Sequence, residues 1–587
     1  DRFLRLLAAA LSEPGLRLIA TVRADFLDRC LAHPEFGLLV EDNTRLVRPP
    51  DVASLHAMID GPAARAGLAL DDKLAERIVA DLCDEGSRPE PGALPLLAFA
   101  LEQIYQAEGA SGVLTQAGYE ALGDSEGAKG AKGAIGKRAA QVFADLPEAA
   151  QAVFGRVFRE LVNVDAQGTP TRRRAPRERF AGDEAAGQLI EAFTHRKARL
   201  LVADEHSLEV AHEALFRHWP LLAQWIADYG GDLHLVRQLE AQATAWQKDP
   251  HNPLPLHQLW PHESQVHAYA ALGRLGRAWH TEPEPLRSFL IPEWRRRVAA
   301  LNEQGMSHFT RCLIGDRLAA IGDLRKGVGV IDGVPDIDWV YIPGGTVTLE
   351  GDKGAFRTDD FLMARYPVTW AQYRAFLEGA DGYCNSAWWQ GLKRRRKAGE
   401  QRHRVANCPA DNVSWYDAVA FCRWLTARLE DTLPPNMEVR LPLEWEWQQA
   451  ATGGQPSREY PWGGWMESRA NSQESGLGST TAVGMYPEGT WSSAKARGPL
   501  DMAGNILEWC HNCFDEPSRL IASDGRKVHC VARGGAWCLP RLGCRCESRH
   551  IADPRSRSFI FGFRVVCAPP IAESLFSNTL ISRNKQR

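Results

Sequence analysis

No stretch of this sequence stays apolar for the roughly 20 residues that crossing a bilayer takes; the longest, around Gly92 to Leu101, reaches about half that. A membrane-spanning helix is excluded. Neither sign of charge is in large excess, since 69 Lys and Arg face 73 Asp and Glu for a formal −4 over 587 residues. No global field exists to hold nucleic acid or an anionic membrane surface, and neither is an expected partner. Cysteine is sparse, at thirteen residues gathered mostly in the last third. No secretory segment precedes them, because Phe3, Leu6, Leu7 and Leu11 follow helical spacing rather than the basic-then-apolar order of a signal peptide. The thiols are read as cytoplasmic. Residue 1 is Asp, not Met, and the chain is expected to begin inside a longer product. Last, the phosphate-binding pattern G-x-x-x-x-G-K-[ST] is missing. Without its clustered N–H groups, its hydroxyl and an acidic strand end for Mg²⁺, this chain alone is not expected to hydrolyse ATP.

What is present is the composition of a folded protein, 44% hydrophobic, 24% charged and 9% aromatic, at a length that implies about three to five domains. Residues 16–23 (LRLIATVR) read as a buried strand ending in Arg. Helical spacing follows over residues 51–66, 72–83 and 94–106, completing a first segment, 1–122. Residues 123–137 hold almost no large side chain and read as a flexible linker. In 138–229, strand-like runs at 199–203 and 208–210 precede an amphipathic helix over 212–226, the order of a winged helix. An Arg- and Glu-rich helical arm fills 230–337, with Trp246, Trp260, Trp279 and Trp294 on helix-facing positions. From Asp338 the character changes: Gly and Pro become frequent, strands shorten, and most of the nineteen tryptophans fall here. A separate domain, 338–567, and a basic tail, 568–587, complete the chain.

Residues 16–29 (LRLIATVRADFLDR), Gly61-Pro62-Ala63 and residues 92–97 (GALPLL) resemble the later part of a STAND-type NTPase, a group of P-loop signalling and defence switches; the likeness covers about residues 1–229. It implies that Arg23 presents its guanidinium fork to the terminal phosphate. It also implies that Pro95 packs on the base and that His212, in His212-Glu213-Ala214-Leu215, reads the diphosphate state. The plainer reading of the same residues is a surface arginine, a proline at the first helical position and a cap histidine. ATP or ADP is expected only together with the upstream part, and the switch module offers a route to oligomerisation. Arg172, Arg173, Arg174, Arg177 and Arg179 form a basic run that could serve DNA binding but reads better as a solvated face.

Over residues 338–567, a second set of motifs falls in order: residues 339–345 (WVYIPGG), Tyr366-Pro367-Val368-Thr369, Val413-Ser414-Trp415-Tyr416-Asp417-Ala418, residues 440–447 (RLPLEWEW), Tyr460-Pro461-Trp462-Gly463, residues 501–509 (DMAGNILEW), Arg533-Gly534-Gly535 and Gly562-Phe563-Arg564. These resemble the formylglycine-generating enzyme (sulfatase-modifying factor) family, which implies a C-type-lectin-like fold. The whole is then a multidomain α+β chain: a truncated α/β P-loop NTPase remnant with helical and winged-helix domains, a helical linker, and the lectin-like domain. In active members of the family two cysteines after Arg-Gly-Gly bind copper(I) and use O₂ to turn a substrate cysteine into formylglycine. Cys538, Cys544 and Cys546 stand in that neighbourhood. The interval from Gly535 to Arg545 and Arg549 is shorter than the oxidase pattern, however, and aligning the later arginine puts Arg541 where the second copper thiol belongs. The shorter interval resembles that of the family's non-oxidase bacterial members, which implies a structural Cys544. Cys510-x-x-Cys513 has no second ligand pair and reads as core rather than zinc. The resemblance further implies structural calcium at Asp501, Glu508 and the carbonyls of Gly504 and Ile506, with Asn471 in a second site.

Residues 537–561 (WCLPRLGCRCESRHIADPRSRSFIF) keep the family's frame but carry Cys, Leu, His, Ile, Ser and Phe where relatives carry polar Asn-rich sequence. That pattern resembles the variable proteins of diversity-generating retroelements, which randomise this final segment ahead of Gly-Phe-Arg. The resemblance implies a ligand-binding surface of Trp537, Cys538, Leu539, Arg541, Leu542, Gly543 and Cys546, continued by Ser548, His550, Ile551, Ser556, Ser558, Phe559 and Ile560. Arg545, Arg549 and Arg564 would be framework. The expected partner is an unidentified ligand, protein or other macromolecule; the competing expectation is the copper oxidase.

Overall fold

The computed structural model describes residues 7, 9–11, 17–19, 21, 30–31, 33–45, 50–83, 89, 93–123, 130–195, 198–247, 260–303, 305–351, 353–493, 496–520 and 528–571. It divides into two compact units, Asp1–Gln242 with Ala268–Ala278, and Ala243–His267 with Trp279–Arg587. The 230–337 stretch expected as one arm is therefore shared between the units.

In the first unit, α1 (Val52–Arg65) starts where the Asp51 carboxylate accepts the Ser54 N–H at 2.8 Å, and it buries Leu55 and Ile59. The helices α2 (Leu74–Asp81) and α3 (Ala93–Glu108) follow as their spacing predicts. The strand expected over 16–23 is not formed where it is described: residues 17–19 lie in no strand and are exposed. No strand pairs with residues 17–19 or 21 among the described residues.

The supposed flexible linker is also corrected, because its second half belongs to α4 (Gly130–Ala144), whose Ala134 and Ile135 are buried. Small residues serve close approach here rather than mobility: a Cβ on Gly136 would collide with the backbone carbonyl of His218. Gly136→Ala is expected to cost about 1–3 kcal/mol through overpacking, measured as a fall in the thermal midpoint of the first unit. Next come α5 (Phe154–Leu161) and α6 (Glu184–Thr194), with a three-stranded antiparallel sheet of β1 (Ala175–Pro176), β2 (Leu201–Ala203) and β3 (Ser207–Val210) in the order β1-β3-β2.

The single helix expected over 212–226 is instead two, α7 (Ala214–His218) and α8 (Pro220–Gln247). Pro220 drives Trp219 into extended backbone (φ −96°, ψ 106°), which ends the first helix. The side chain of Trp219 is fully buried among Phe143, Phe154, Phe158 and Phe193, with ring centroids 5.3–5.7 Å apart. In the basic run Arg174, Arg177 and Arg179 are exposed but Arg172 and Arg173 are half-buried; Arg173 pairs with the buried Glu160 and with Glu240, Arg179 with Glu160, and Arg174 with Asp204.

In the second unit, α9 (Glu293–Ala300) and α10 (His308–Ile321) pack through Leu301, Ile314 and Leu318 against Ala482, Met485 and Tyr486. One four-stranded antiparallel sheet holds β4 (Trp339–Ile342) and β5 (Phe361–Ala364). Two helices follow, α11 (Trp370–Glu378) and α12 (Trp415–Arg428), begun by the capping boxes of Thr369 with Gln372 and Ser414 with Asp417. After β6 (Glu438–Arg440) and α13 (Glu444–Thr452), the chain runs mostly in loops and short turns to β7 (Leu507–Cys513). The remaining strands are β8 (Cys530–Arg533), β9 (His550–Ala552), β10 (Phe561–Gly562) and β11 (Val566–Ala568). The first sheet runs β4-β5-β11-β6 and the second β9-β8-β7-β10, with only the β7–β10 pair parallel. Since β4 and β11 share a sheet, the two ends of the domain meet.

Both expected domain edges move outward. Thr369 Oγ1 donates to the Val328 carbonyl at 2.7 Å and Gln372 Nε2 to the Gly327 carbonyl at 3.1 Å. At the other end Ala568 pairs with Glu438, and Arg440 donates to the Pro569 carbonyl. Residues 568–571 thus belong to the domain, while the rest of the expected tail lies outside the described residues. Trp415, Phe421, Trp424, Trp509 and Phe563 centre the main core.

Candidate functional site

The segment 537–561 leaves β8 through Gly534 and Gly535, both at positive φ (91° and 77°). Glycine is required at the second, because a Cβ there would strike the Cys544 Sγ. After one tight turn at Arg541–Cys544 the chain returns as β9 beside β8, loops once more and closes on β10.

Four arginines fix this path, Arg533 and Arg564 fully buried and Arg549 and Arg557 nearly so in their side chains. Arg533 donates to the carbonyls of Glu547 at 2.7 Å and Ser548 at 3.1 Å. Arg549 grips both oxygens of Glu444 at 2.7 and 2.9 Å, Arg557 those of Asp417 at 2.8 and 2.7 Å, and Arg564 those of Glu508 at 3.0 and 2.8 Å. Such two-pronged pairs are geometrically specific. They fix the loops on either side of β9, where no sheet ladder holds the backbone.

Between these anchors the intervening side chains face out. Leu542 is 60% exposed, Ile551 53% and Phe559 39%. Arg541 is exposed as well, and Trp537, Cys538, Leu539, Gly543, His550, Ser556, Ser558 and Ile560 are half-buried. Two of the expected surface residues are not there. Cys546 is packed in a core with Trp447 and Cys510, and Ser548 is buried with its hydroxyl donating to the Leu542 carbonyl at 2.8 Å. Residues 544, 546 and 548 alternate with more exposed neighbours, so the extended backbone turns all three inward.

The outward residues form two groups. In one, His550 Nε2 lies 2.9 Å from the Gly543 carbonyl, beside Leu539. In the other, the rings of Trp537 and Phe559 lie 5.8 Å apart, and the Arg402 guanidinium covers both, 4.5 Å from Phe559 and 5.5 Å from Trp537. Arg402 was not among the sequence candidates. Its signal was the basic run at 393–404, which lies far from the motif-bearing segment.

Cys544 and Cys546 do not form a copper pair, whereas Cys538 lies within electrostatic reach of Cys544. Burial pushes the thiols of Cys544 and Cys546 up to about 12 and raises that of Cys538, whereas copper(I) takes thiolates. Cys544 packs with Tyr460 and Ala503 while Cys546 packs with Trp447, so these two belong to different cores. The calcium set fares no better. Both Glu508 oxygens are held by Arg564, and Oε2 also accepts the Trp447 indole N–H at 2.7 Å. The Gly504 carbonyl accepts the Ile506 N–H. Asn471 is spent on Ser479, Ser475 and Asn505. Asp501, its carboxyl raised to about 6 by burial, accepts the Gly484 N–H at 2.6 Å and feels Arg564 and Arg325. At Glu508 the Arg564 guanidinium holds both oxygens that a cation would need. Among the described residues no three His, Cys, Asp or Glu side chains converge as for a metal, and Cys510 is a core residue.

Of the expected nucleotide residues, Arg23 lies outside the described residues. Pro95 lies in α3. The His212 ring stands 6.4 Å from Phe99 of that same helix. Burial, with Arg172 nearby, lowers the His212 pKa. The structure thus brings α3 and His212 together.

Residues 1–253 match the family described as Novel STAND NTPase 1, and residues 334–569 the Sulfatase-modifying factor enzyme 1-like domain. The serine/threonine-protein kinase pkn1 of Chlamydia pneumoniae is 31% identical over 228 residues, which are 36% of this chain and 33% of that protein. The formylglycine-generating enzyme of Thermomonospora curvata is 26% identical over 301 residues, 39% of this chain and 93% of the enzyme. Among solved structures, Treponema denticola variable protein 1 aligns with 41% of this chain and 97% of its own at 20% identity and a TM-score of 0.30. The chain spans about a third of the length of the first curated relatives it matches. No described helix is long and apolar enough to cross a membrane.

Proposed function

We propose, for a chain that joins a STAND NTPase domain to a sulfatase-modifying-factor-like domain, that the second domain recognises a ligand and the first passes on its arrival as part of a bacterial signalling or defence switch. The observation that carries this is the contrast within residues 537–561. Arg549 and Arg557 are locked to Glu444 and Asp417, while Leu542, Ile551 and Phe559 on either side of and between them are exposed. A scaffold whose backbone is already ordered loses little entropy on binding, and exposed apolar side chains on it make contact area. The same arrangement tolerates change at the outward positions, which fits a segment diversified by a retroelement. Ligand capture would shift the switch only through different affinity for its two states. Nucleotide would bind with the preceding part of the NTPase, with Pro95 and His212 contributing, and the 138–229 segment would be its winged helix.

The competing function is copper-dependent oxidation of a cysteine peptide. Incubation with copper(I), O₂ and a Cys-x-Pro-x-Arg peptide should leave the peptide mass unchanged in wild type and in Cys544→Ser alike. Conversion of the peptide to the aldehyde, lost in Cys538→Ser or Cys544→Ser, would replace the recognition reading with the oxidase.

A further inference from the structure

Residues 393–404 (KRRRKAGEQRHR) hold seven Lys and Arg against one Glu, in a chain whose formal charge is −4. Lys393 through Lys397 are all exposed and lie outside any helix or strand, so no helical neighbour four residues away neutralises them. The carboxylates nearby are already taken. Glu400 is bound by Arg404 at 2.9 Å, Asp381 by Arg428 at 2.7 Å, Asp553 by Arg555 at 2.6 Å and Asp417 by Arg557 at 2.7 Å. Arg394 lies over the rings of Tyr383 and Trp389. Lys393, Arg396 and Lys397 have no carboxylate partner among the described residues, while the Asp411 carboxylate accepts the Arg402 backbone N–H at 3.0 Å and feels its charge.

This run is tied to the recognition segment. Arg557 Nη1 donates to the Lys397 carbonyl at 2.7 Å, Arg395 Nη2 to the Arg555 carbonyl at 3.1 Å, and the Asn412 N–H to the Ser558 carbonyl at 3.0 Å. The uncompensated cations therefore continue into the stack of Arg402 on Phe559 and Trp537.

We propose that this strip binds single-stranded nucleic acid, with phosphates along Lys393, Arg396 and Lys397 and an unpaired base against the Trp537–Phe559–Arg402 stack. The inference rests on the recognition reading of 537–561 and gives its ligand a chemical class. Fixed cations without partners gain by releasing the counterions of a phosphate backbone. Aromatic and guanidinium faces take any base, provided the base is not hidden in a duplex. An acidic polypeptide would satisfy the cations but leave the stack unused. The chain's net negative charge does not oppose this, because screening confines each patch to about 10 Å.

The test measures anisotropy of labelled oligo(dT) with the full chain, against poly-glutamate as competitor. Binding should weaken with salt at a log–log slope of about −2, the value for three phosphates at about −0.7 each. A Lys393→Ala/Arg396→Ala/Lys397→Ala variant should flatten that slope and lose about tenfold or more in affinity. Trp537→Ala should lose about fivefold or more and keep the slope. Absence of binding at low salt, or binding that the triple variant retains, would overturn the proposal, as would poly-glutamate competing as well as oligo(dT) with no dependence on Trp537. Failure of oligo(dT) to bind, without peptide oxidation, retires the nucleic-acid class alone, whereas peptide oxidation retires the recognition face itself.

Discussion

Glu508→Gln should unfold the second unit at distinctly lower urea concentration, with a loss of about 3–5 kcal/mol. The substitution keeps the shape of the side chain and removes its charge. Arg564 is then left as a cation with no accessible surface, still held by the carbonyls of Ala364, Arg365 and Leu500 but without its counter-charge. Most of the nineteen tryptophans lie in this unit, so fluorescence follows its transition. A chelator should leave the wild-type midpoint where it is, because Glu508 is spent on Arg564 and Trp447. A chelator that lowered the midpoint as far as Glu508→Gln does would return Glu508 to a metal.

The second large effect is on acid stability and centres on His511. Burial, reinforced by the like charges of Arg440 and Arg423, pulls its imidazole down to about 3, and its Nδ1 is buried without a hydrogen-bond partner. The ring packs edge-on to Trp415 at 5.5 Å. A histidine depressed in the folded state contributes stability that is complete above its unfolded value of 6.5 and is lost as pH falls toward 3. The loss at the acid end is worth roughly 3–5 kcal/mol. Asp501 works in the opposite sense. Its carboxyl, raised to about 6, contributes stability below its ordinary 3.8 that is lost as pH rises through 6. His511→Phe keeps the aromatic contact and cannot take a proton, so the difference between variant and wild type isolates the histidine. The variant should match wild type near pH 7 and be the more stable of the two below pH 5 in urea titrations. Parallel curves across that range would show that His511 protonates as freely folded as unfolded.

Much of the frame could be read from local signals. Thr369 with Gln372 and Ser414 with Asp417 announce helix starts within four residues, and the positive φ of Gly534 and Gly535 explains the Arg-Gly-Gly motif. The misreadings came where a distant residue decides. Glu508 and Asp501 look like oxygen ligands until Arg564, 56 residues from Glu508, arrives to hold the carboxylate. Cys546 and Ser548 look variable until the direction of their backbone turns them inward. The Ala- and Gly-rich stretch before Ala144 lacks large side chains because α4 must approach the carbonyl of His218, a contact no neighbouring residue records. The −4 of the whole chain likewise hid the cations at 393–404, since a net charge averages over distances that screening does not cross.

If residues 537–561 present changeable side chains on a locked scaffold, their codons vary unevenly. Deep sequencing of these codons across the source population tests it most directly. Substitutions are expected to gather at the outward positions, Leu542, Ile551 and Phe559 foremost, and to spare Cys546, Ser548, Arg549 and Arg557. Outward codons no more variable than the locked ones would contradict it.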